Sequence, residues 1–233
     1  RFGDVLVFSK SEIAKTFVEG DNFGDRRAII YARNACFELA QQIGATHFIE
    51  LDDDYTYFKF RFDDQLRWHG ADVQDLDAVF DMLLDYFNSA PMLTLAIGQG
   101  GDYIGGEKAT RFNDGIQPMR KAMNSFICSV DRPFQFVGRI NEDVNTYVLL
   151  GSRGGVFLSI LQIGLDQLET QSNSGGMTEL YLDAGTYVKS FYTVMYCPSC
   201  VVVSAMGTAH RRLHHHIKWR YAVPKILRES VKK

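Results

Sequence analysis

The stretch at residues 26–62 changes periodicity twice, and this alternation constrains the fold more than any bulk property. Ile29, Ala32, Cys36, Leu39, Ala40 and Ile43 recur at helical spacing, so a helix is predicted over 26–43, stopped by Gly44. Residues 46–51 (THFIEL) then form a β-rich run ending in Asp52, Asp53 and Asp54. A second run at 55–62 puts Phe58, Phe60 and Phe62 on one face and Lys59 and Arg61 on the other. With a short buried strand expected at 5–8, the chain opens as β-α-β, the alternation of an α/β fold.

The remaining pattern extends this architecture. Leu76, Val79, Phe80, Leu83, Leu84 and Phe87 predict a helix over 75–87, and further helices are expected at 142–150 and 178–194. Strands are expected at 92–97, 125–129, 134–138, 156–163 and 201–205. The glycines of GQGGDYIGGE (98–107) either let backbone approach a ligand or build tight turns. No repeat or Pro/Gly-rich linker divides the chain, so a single α/β domain over 1–233 is predicted, its central sheet mixed, mostly parallel and flanked by helices.

Composition excludes several classes. At 46% hydrophobic and 23% charged, the 233-residue chain is neither disordered nor membrane-spanning, and its core suffices without disulfides or metal. Cys36, Cys128, Cys197 and Cys200 are too unevenly spaced for a secreted framework, which favours a reducing cytoplasm. Cys197 and Cys200 with His210 and His214 fall short of zinc-finger spacing, so these thiols are expected to be buried. The chain opens on Arg1 rather than Met, the expected mark of a trimmed leading segment.

Three clusters carry chemistry. Asp52, Asp53 and Asp54 follow an apolar strand, where ligands of open α/β sheets gather, and three adjacent carboxylates suit Mg²⁺ or Mn²⁺ with positions left for substrate phosphates. The alternative is an acidic surface turn. Asn141, Glu142 and Asp143 begin a predicted helix, where an acid serves either as general base or as a partner of the helix dipole. In HRRLHHHIKW, His214 and His216 share a face on a strand, His210 and His214 on a helix, and one imidazole is expected to complete the metal shell.

Basic residues define the anionic partners. Arg33 interrupts an apolar stretch in Ala32-Arg33-Asn34, so it either snorkels to solvent or reaches an anion at the sheet edge, and Arg120 and Lys121 are further phosphate candidates. Residues 210–233 hold eight Lys and Arg side chains against the single Glu229, on a chain whose formal net charge is −3. That asymmetry fits a nucleic acid or nucleotide phosphate, or else a solvated terminal helix.

An Ala-Arg-Asn helix, an apolar strand ending in Asp-Asp-Asp, a later Glu-Asp and a C-terminal His together resemble the GT-A nucleotide-sugar glycosyltransferases. KAMNSF (121–126), GRINEDVNTY (138–147), TQSNSGGMTE (170–179), GTYVKSF (185–191) and AVPKIL (222–227) resemble more specifically the phage glycosyltransferases encoded beside TET-type DNA hydroxylases. The resemblance implies a GT-A-like domain that moves a sugar from a nucleotide diphosphate to 5-hydroxymethylcytosine in DNA, in the cytoplasm of an infected bacterial host. It implies donor contacts by Arg33, Asn34, Asp52, Asp53 and Lys121, and a divalent metal (Mn²⁺ or Mg²⁺) on Asp54 and Asp52 with His214 or His216. Asp143, beside Glu142, is implied as the base of an inverting reaction, and Arg211, Arg212 and Lys218 as DNA contacts. GT-A chains usually begin with a strand and nucleotide-binding loop before the first helix; here Arg1 lies close to such a strand, so either the fold is trimmed or the nucleotide pocket is completed differently. The residues alone leave two rivals: a metal-dependent phosphoryl or nucleotidyl transferase, and a non-catalytic nucleic-acid-binding module on a degenerate transferase fold.

Overall fold

The computed structural model describes residues 5–21, 26–65, 67–103, 116–123, 125–168, 177–206 and 212–225, the side chains of 68, 101 and 177–186 excepted. Six strands form one sheet: β1 (His47–Leu51), β2 (Tyr55–Phe62), β3 (Trp68–Asp72), β4 (Met92–Gln99), β5 (Ser125–Ser129) and β6 (Val156–Gln167). Their order is β1-β5-β4-β6-β2-β3, and a separate two-stranded sheet pairs β7 (Val201–Met206) with β8 (Arg212–Ile217). The helices are α1 (Lys10–Ile13), α2 (Ile30–Gln42), α3 (Leu76–Ser89), α4 (Glu142–Gly151), α5 (Met177–Tyr196) and α6 (Trp219–Ala222).

The α/β class and the mixed sheet are as expected, but β4 and β6 are the one parallel pair of neighbours in the six-stranded sheet. β1, β3, β4 and β6 do run in one direction. β5 enters between β1 and β4, and β2 between β6 and β3, so opposed strands separate most of the aligned ones.

Strand alternation divides the core into two layers. Leu95 and Ile97 of β4 and Ile127 of β5 face α3 through Val79, Leu83 and Phe87. Ala96, Phe126 and Cys128 face the opposite side, where Tyr31, Ala35 and Phe37 of α2 and Val144, Tyr147 and Val148 of α4 cover them. Asp75 caps α3, its carboxylate accepting the Ala78 N–H at 3.0 Å. Asp75→Ala should therefore cost about 0.5–2 kcal/mol in urea denaturation, and Asp75→Asn much less.

A short link bends the sheet around the acidic turn. β1 and β2 stand four strand positions apart, about 19 Å in a flat sheet, yet the link between Leu51 and Tyr55 reaches at most about 14 Å. The sheet must curl, and β6 supplies the bend. Its register against β4 slips between Ile97↔Ile160 and Gly98↔Gly164, and its later residues turn to pair with β2, from Phe60↔Ile163 to Tyr55↔Gln167. Tyr103 bridges the slip, its hydroxyl 3.0 Å from the Leu161 carbonyl and 2.9 Å from that of Ile163. A Cβ on Gly164 would lie 2.5 Å from Arg61 Nε and 3.0 Å from the Tyr103 ring, so a larger residue there must displace these side chains.

Three expectations are corrected. Residues 5–8 form no strand: Val5 and Val7 are 73% and 85% exposed, and the nearby Val18 and Glu19 carbonyls accept backbone N–H groups of Gly138 and Arg139 instead. Helix α2 begins at Ile30 rather than at 26, and ends before Gly44 at φ +72° as expected. Residues 134–138 form no strand, because side chains satisfy their backbone: Phe136 N–H donates to Asn34 Oδ1 at 2.8 Å and Val137 N–H to Thr146 Oγ1 at 3.1 Å. No helix among the described residues is long and apolar enough to cross a membrane.

Candidate active site

Arg33 organises the site. It sits in the inward face of α2 at 4% exposure, neither snorkelling to solvent nor open to a ligand. Its Nε donates to Glu142 Oε1 at 3.1 Å, its Nη2 to Asp52 Oδ1 at 3.0 Å and its Nη1 to Glu50 Oε2 at 3.4 Å. The guanidinium lies over the Phe126 ring at 4.8 Å and the Phe136 ring at 5.7 Å. One planar fork thus draws carboxylates from β1, the acidic turn and α4 to a common point, which a lysine could not do. Glu50 was not anticipated; its signal was a charge inside the apolar run THFIEL. Asn34 clamps the segment that leads to α4, donating to the Phe136 carbonyl at 3.0 Å while accepting its N–H.

Asp143 lies beside this cluster at the start of α4. Neither acid there caps the helix by reaching back over its first turn. Glu142 is paired with Arg33, and Asp143 Oδ1 accepts the N–H of the adjacent Val144 at 2.7 Å. The preceding Asn141 is left-handed at φ 56°, a conformation that costs energy in a non-glycine residue. Its amide holds the turn by donating to the Lys189 carbonyl at 2.8 Å and to Thr193 Oγ1 at 3.2 Å.

One guanidinium cannot balance three buried carboxylates and the partly buried Asp52. Burial pushes Glu50 up to about 8 against the opposing pull of Arg33, and Glu142 up to about 7, with Asp143 next to it adding to the rise. Burial also lifts Asp52 to about 6 and raises Asp143, while Arg33 itself is held charged by Glu142, Asp52 and Glu50. These groups keep protons in the folded state that the unfolded chain has lost, since an ordinary glutamate titrates near 4.5. The folded protein therefore binds more protons between about 4.5 and 8, and stability should fall as pH rises through that window. Urea midpoints measured from pH 5 to pH 8.5 check this; a rising midpoint contradicts it.

The acidic turn has its own unmet demand. Asp53 is exposed, and Asp52 is bound to Arg33 through Oδ1. Asp54 Oδ1 and the Tyr55 hydroxyl are buried without a hydrogen-bond partner. A buried carboxylate oxygen left unpaired beside a second carboxylate fits a hard divalent cation. Among the described residues no group of three His, Cys, Asp or Glu side chains is arranged to hold a metal, His214 and His216 included.

Cations also act on Asp143. Lys121 is exposed, Lys189 of α5 is half-buried, and both act on Asp143. β8 resolves the histidine register: it is a strand, with His214 half-buried, His215 buried and His216 exposed. Burial lowers His214, followed by Lys121, Arg212, Lys189 and His216, so its electrostatic neighbours are cations. Lys218 is exposed just before α6, whereas Arg211 and His210 lie outside the described residues. The four cysteines are free thiols, Cys197 and Cys200 buried as expected and Cys200 Sγ donating to the Tyr221 carbonyl at 3.3 Å.

No curated protein and no solved structure matches this chain. The family model described as TET-Associated Glycosyltransferase matches residues 1–176, which include α2, the acidic turn and α4, and hence Arg33, Glu50, Asp52, Asp54, Glu142 and Asp143. A model that matches three quarters of the chain and contains every carboxylate of the Arg33 cluster places this protein in the TET-Associated Glycosyltransferase family.

Proposed function

We propose that this glycosyltransferase moves a sugar from a nucleotide diphosphate to the hydroxymethyl group of 5-hydroxymethylcytosine in DNA. The observation that carries this reading is the site itself: Asp143, raised above its ordinary value, shares an electrostatic neighbourhood with an acidic turn that holds an orphaned carboxylate oxygen and with the cations Lys121 and Lys189.

In the proposed reaction the acceptor hydroxyl oxygen bonds to the anomeric carbon, the bond from that carbon to the diphosphate oxygen breaks, and the hydroxyl proton passes to Asp143. A carboxylate that burial makes more basic is suited to that proton, and the inverting course puts base and leaving group on opposite sides of the sugar. Arg33 contributes by position: its N–H groups are committed to Glu142, Asp52 and Glu50, so it fixes the carboxylates rather than gripping the donor. The exposure of Asp53 on the turn supports a contact with the donor nucleotide. Mn²⁺ or Mg²⁺ held by Asp54 and Asp52 would supply charge neutralisation for the departing diphosphate. An extrahelical base costs a few kcal/mol to expose, and a basic surface including Arg212 and Lys218 offsets this through phosphate contacts.

Asp54→Asn tests the turn. Donor affinity measured calorimetrically with and without Mn²⁺ should show strong metal dependence in the parent and none in the variant, with an unchanged melting temperature. Equal donor affinity in excess chelator and in Mn²⁺ for the parent protein contradicts the metal role.

A further inference from the structure

Three chain segments far apart in sequence bring cations to the start of α4, each fixed by a backbone anchor. Ser159 Oγ donates to the Lys121 carbonyl at 2.6 Å, Asn141 Nδ2 to the Lys189 carbonyl at 2.8 Å, and Ser190 Oγ to the carbonyl of Leu213, next to Arg212, at 2.8 Å. The family resemblance separates these residues, implying Lys121 for the donor and Arg212 for DNA, and does not single out Lys189. In the fold they form one group: Lys189 is under the influence of Asp143, Glu142, Arg212 and Lys121 together. Arg33 is already committed to Glu142, and Asp143 is the acid that acts most on Lys189, ahead of Glu142.

His215 gives a second, independent observation. It is 6% exposed, its ring stacks on that of His214 with centroids 4.3 Å apart, and neither ring nitrogen has a hydrogen-bond partner. Lys121 and Lys189 both act on it, so it belongs to the same group. A buried imidazole N–H with no partner is complete only when an acceptor arrives, and the acceptor suited to flanking cations is an anionic oxygen. Lys189, Arg212 and His215 all lie beyond the stretch matched by the family model.

We propose that Lys121, Lys189 and His215 form a single phosphate site, with Arg212 flanking it from the other face of β8, and that this site holds the acceptor strand's backbone phosphate next to the target nucleotide and so presents its hydroxymethyl group to Asp143. This rests on the reading of DNA as acceptor. The donor diphosphate carries the same chemistry, but on the proposed reading its leaving oxygens belong with Asp52 and Asp54 at the acidic turn.

The test uses Lys189→Met and the charge-preserving Lys189→Arg, with hydroxymethylated oligonucleotides bearing a neutral methylphosphonate at one backbone position at a time. Lys189→Met should bind the unmodified oligonucleotide roughly tenfold more weakly and lower the log–log salt slope by about one, with donor affinity unchanged and Lys189→Arg close to the parent. One methylphosphonate beside the target should weaken the parent protein to the same degree and leave Lys189→Met unaffected. The parent scan needs no variant, so a fold defect in Lys189→Met cannot mask the answer. An unchanged slope with no sensitive phosphate overturns the site; a loss of donor affinity with DNA affinity intact shows that the anion is the donor's and overturns the acceptor assignment. If the parent itself fails to bind hydroxymethylated DNA at low salt, the acceptor reading fails first, and this proposal with it.

Discussion

Replacing Arg33 by Met should cost about 3–5 kcal/mol of stability at pH 8, because it leaves the carboxylates of Glu50, Asp52 and Glu142 buried without their common cation. The loss should shrink toward pH 5, where these groups take up protons and the uncompensated charge disappears. Adding Glu50→Gln and Glu142→Gln to Arg33→Met should recover part of the stability, since amides need no counter-charge. Arg33→Lys should lie between, because an ammonium cannot serve three carboxylates from one plane. Urea denaturation at the two pH values decides the matter. A variant within about 1 kcal/mol of the parent at pH 8 would mean that the guanidinium does not hold the cluster together.

Asp143→Asn should lower kcat by about 10²–10⁴ while leaving donor affinity in place, the signature of a group that acts on the acceptor proton in the transition state. Its melting temperature should be equal or higher, since an amide buries no charge where Asp143 does. Glu142→Gln should behave differently, because Glu142 is a partner of Arg33 and its loss should be read mainly in stability. Reduced melting of Asp143→Asn with normal turnover per folded molecule would make Asp143 a structural residue of the α4 turn.

Local pattern made much of this molecule legible. β2 and β5 occupy the predicted residues, α3 begins one residue inside its predicted cap, and α4 and α5 end within two residues of expectation. In α3 the marked face is buried through Val79, Leu83 and Phe87, whereas β2 leaves Phe60 of its marked face 38% exposed. The misses share another cause. Residues 134–138 have a strand's composition, but their partners are the side chains of Asn34 and Thr146, which no hydrogen-bond pattern in the sequence reveals. β3 was missed because Trp-His-Gly-Ala-Asp lacks alternation and takes its conformation from pairing with β2.

The site was legible in its acids but not in its geometry. Arg33, Asp52 and Glu142 stood out as residue types in unusual places, whereas their convergence on one guanidinium depends on contacts over 19 and 109 residues of chain. Glu50 and Lys189 acquire meaning only from what the fold sets beside them. The role of β8 likewise depends on pairing, since a helix and a strand through His214, His215 and His216 present different faces.

The central claim is that sugar moves to the hydroxymethyl group of a DNA base. The direct test is incubation of the protein with nucleotide-diphosphate sugars, Mn²⁺ and DNA containing 5-hydroxymethylcytosine, with unmodified DNA as control, followed by digestion to nucleosides and mass spectrometry. The account predicts a nucleoside heavier by one sugar residue from hydroxymethylated DNA alone, formed with one equivalent of released nucleotide diphosphate and absent with Asp143→Asn. Cleavage of the donor to free sugar with every nucleoside unchanged would contradict it.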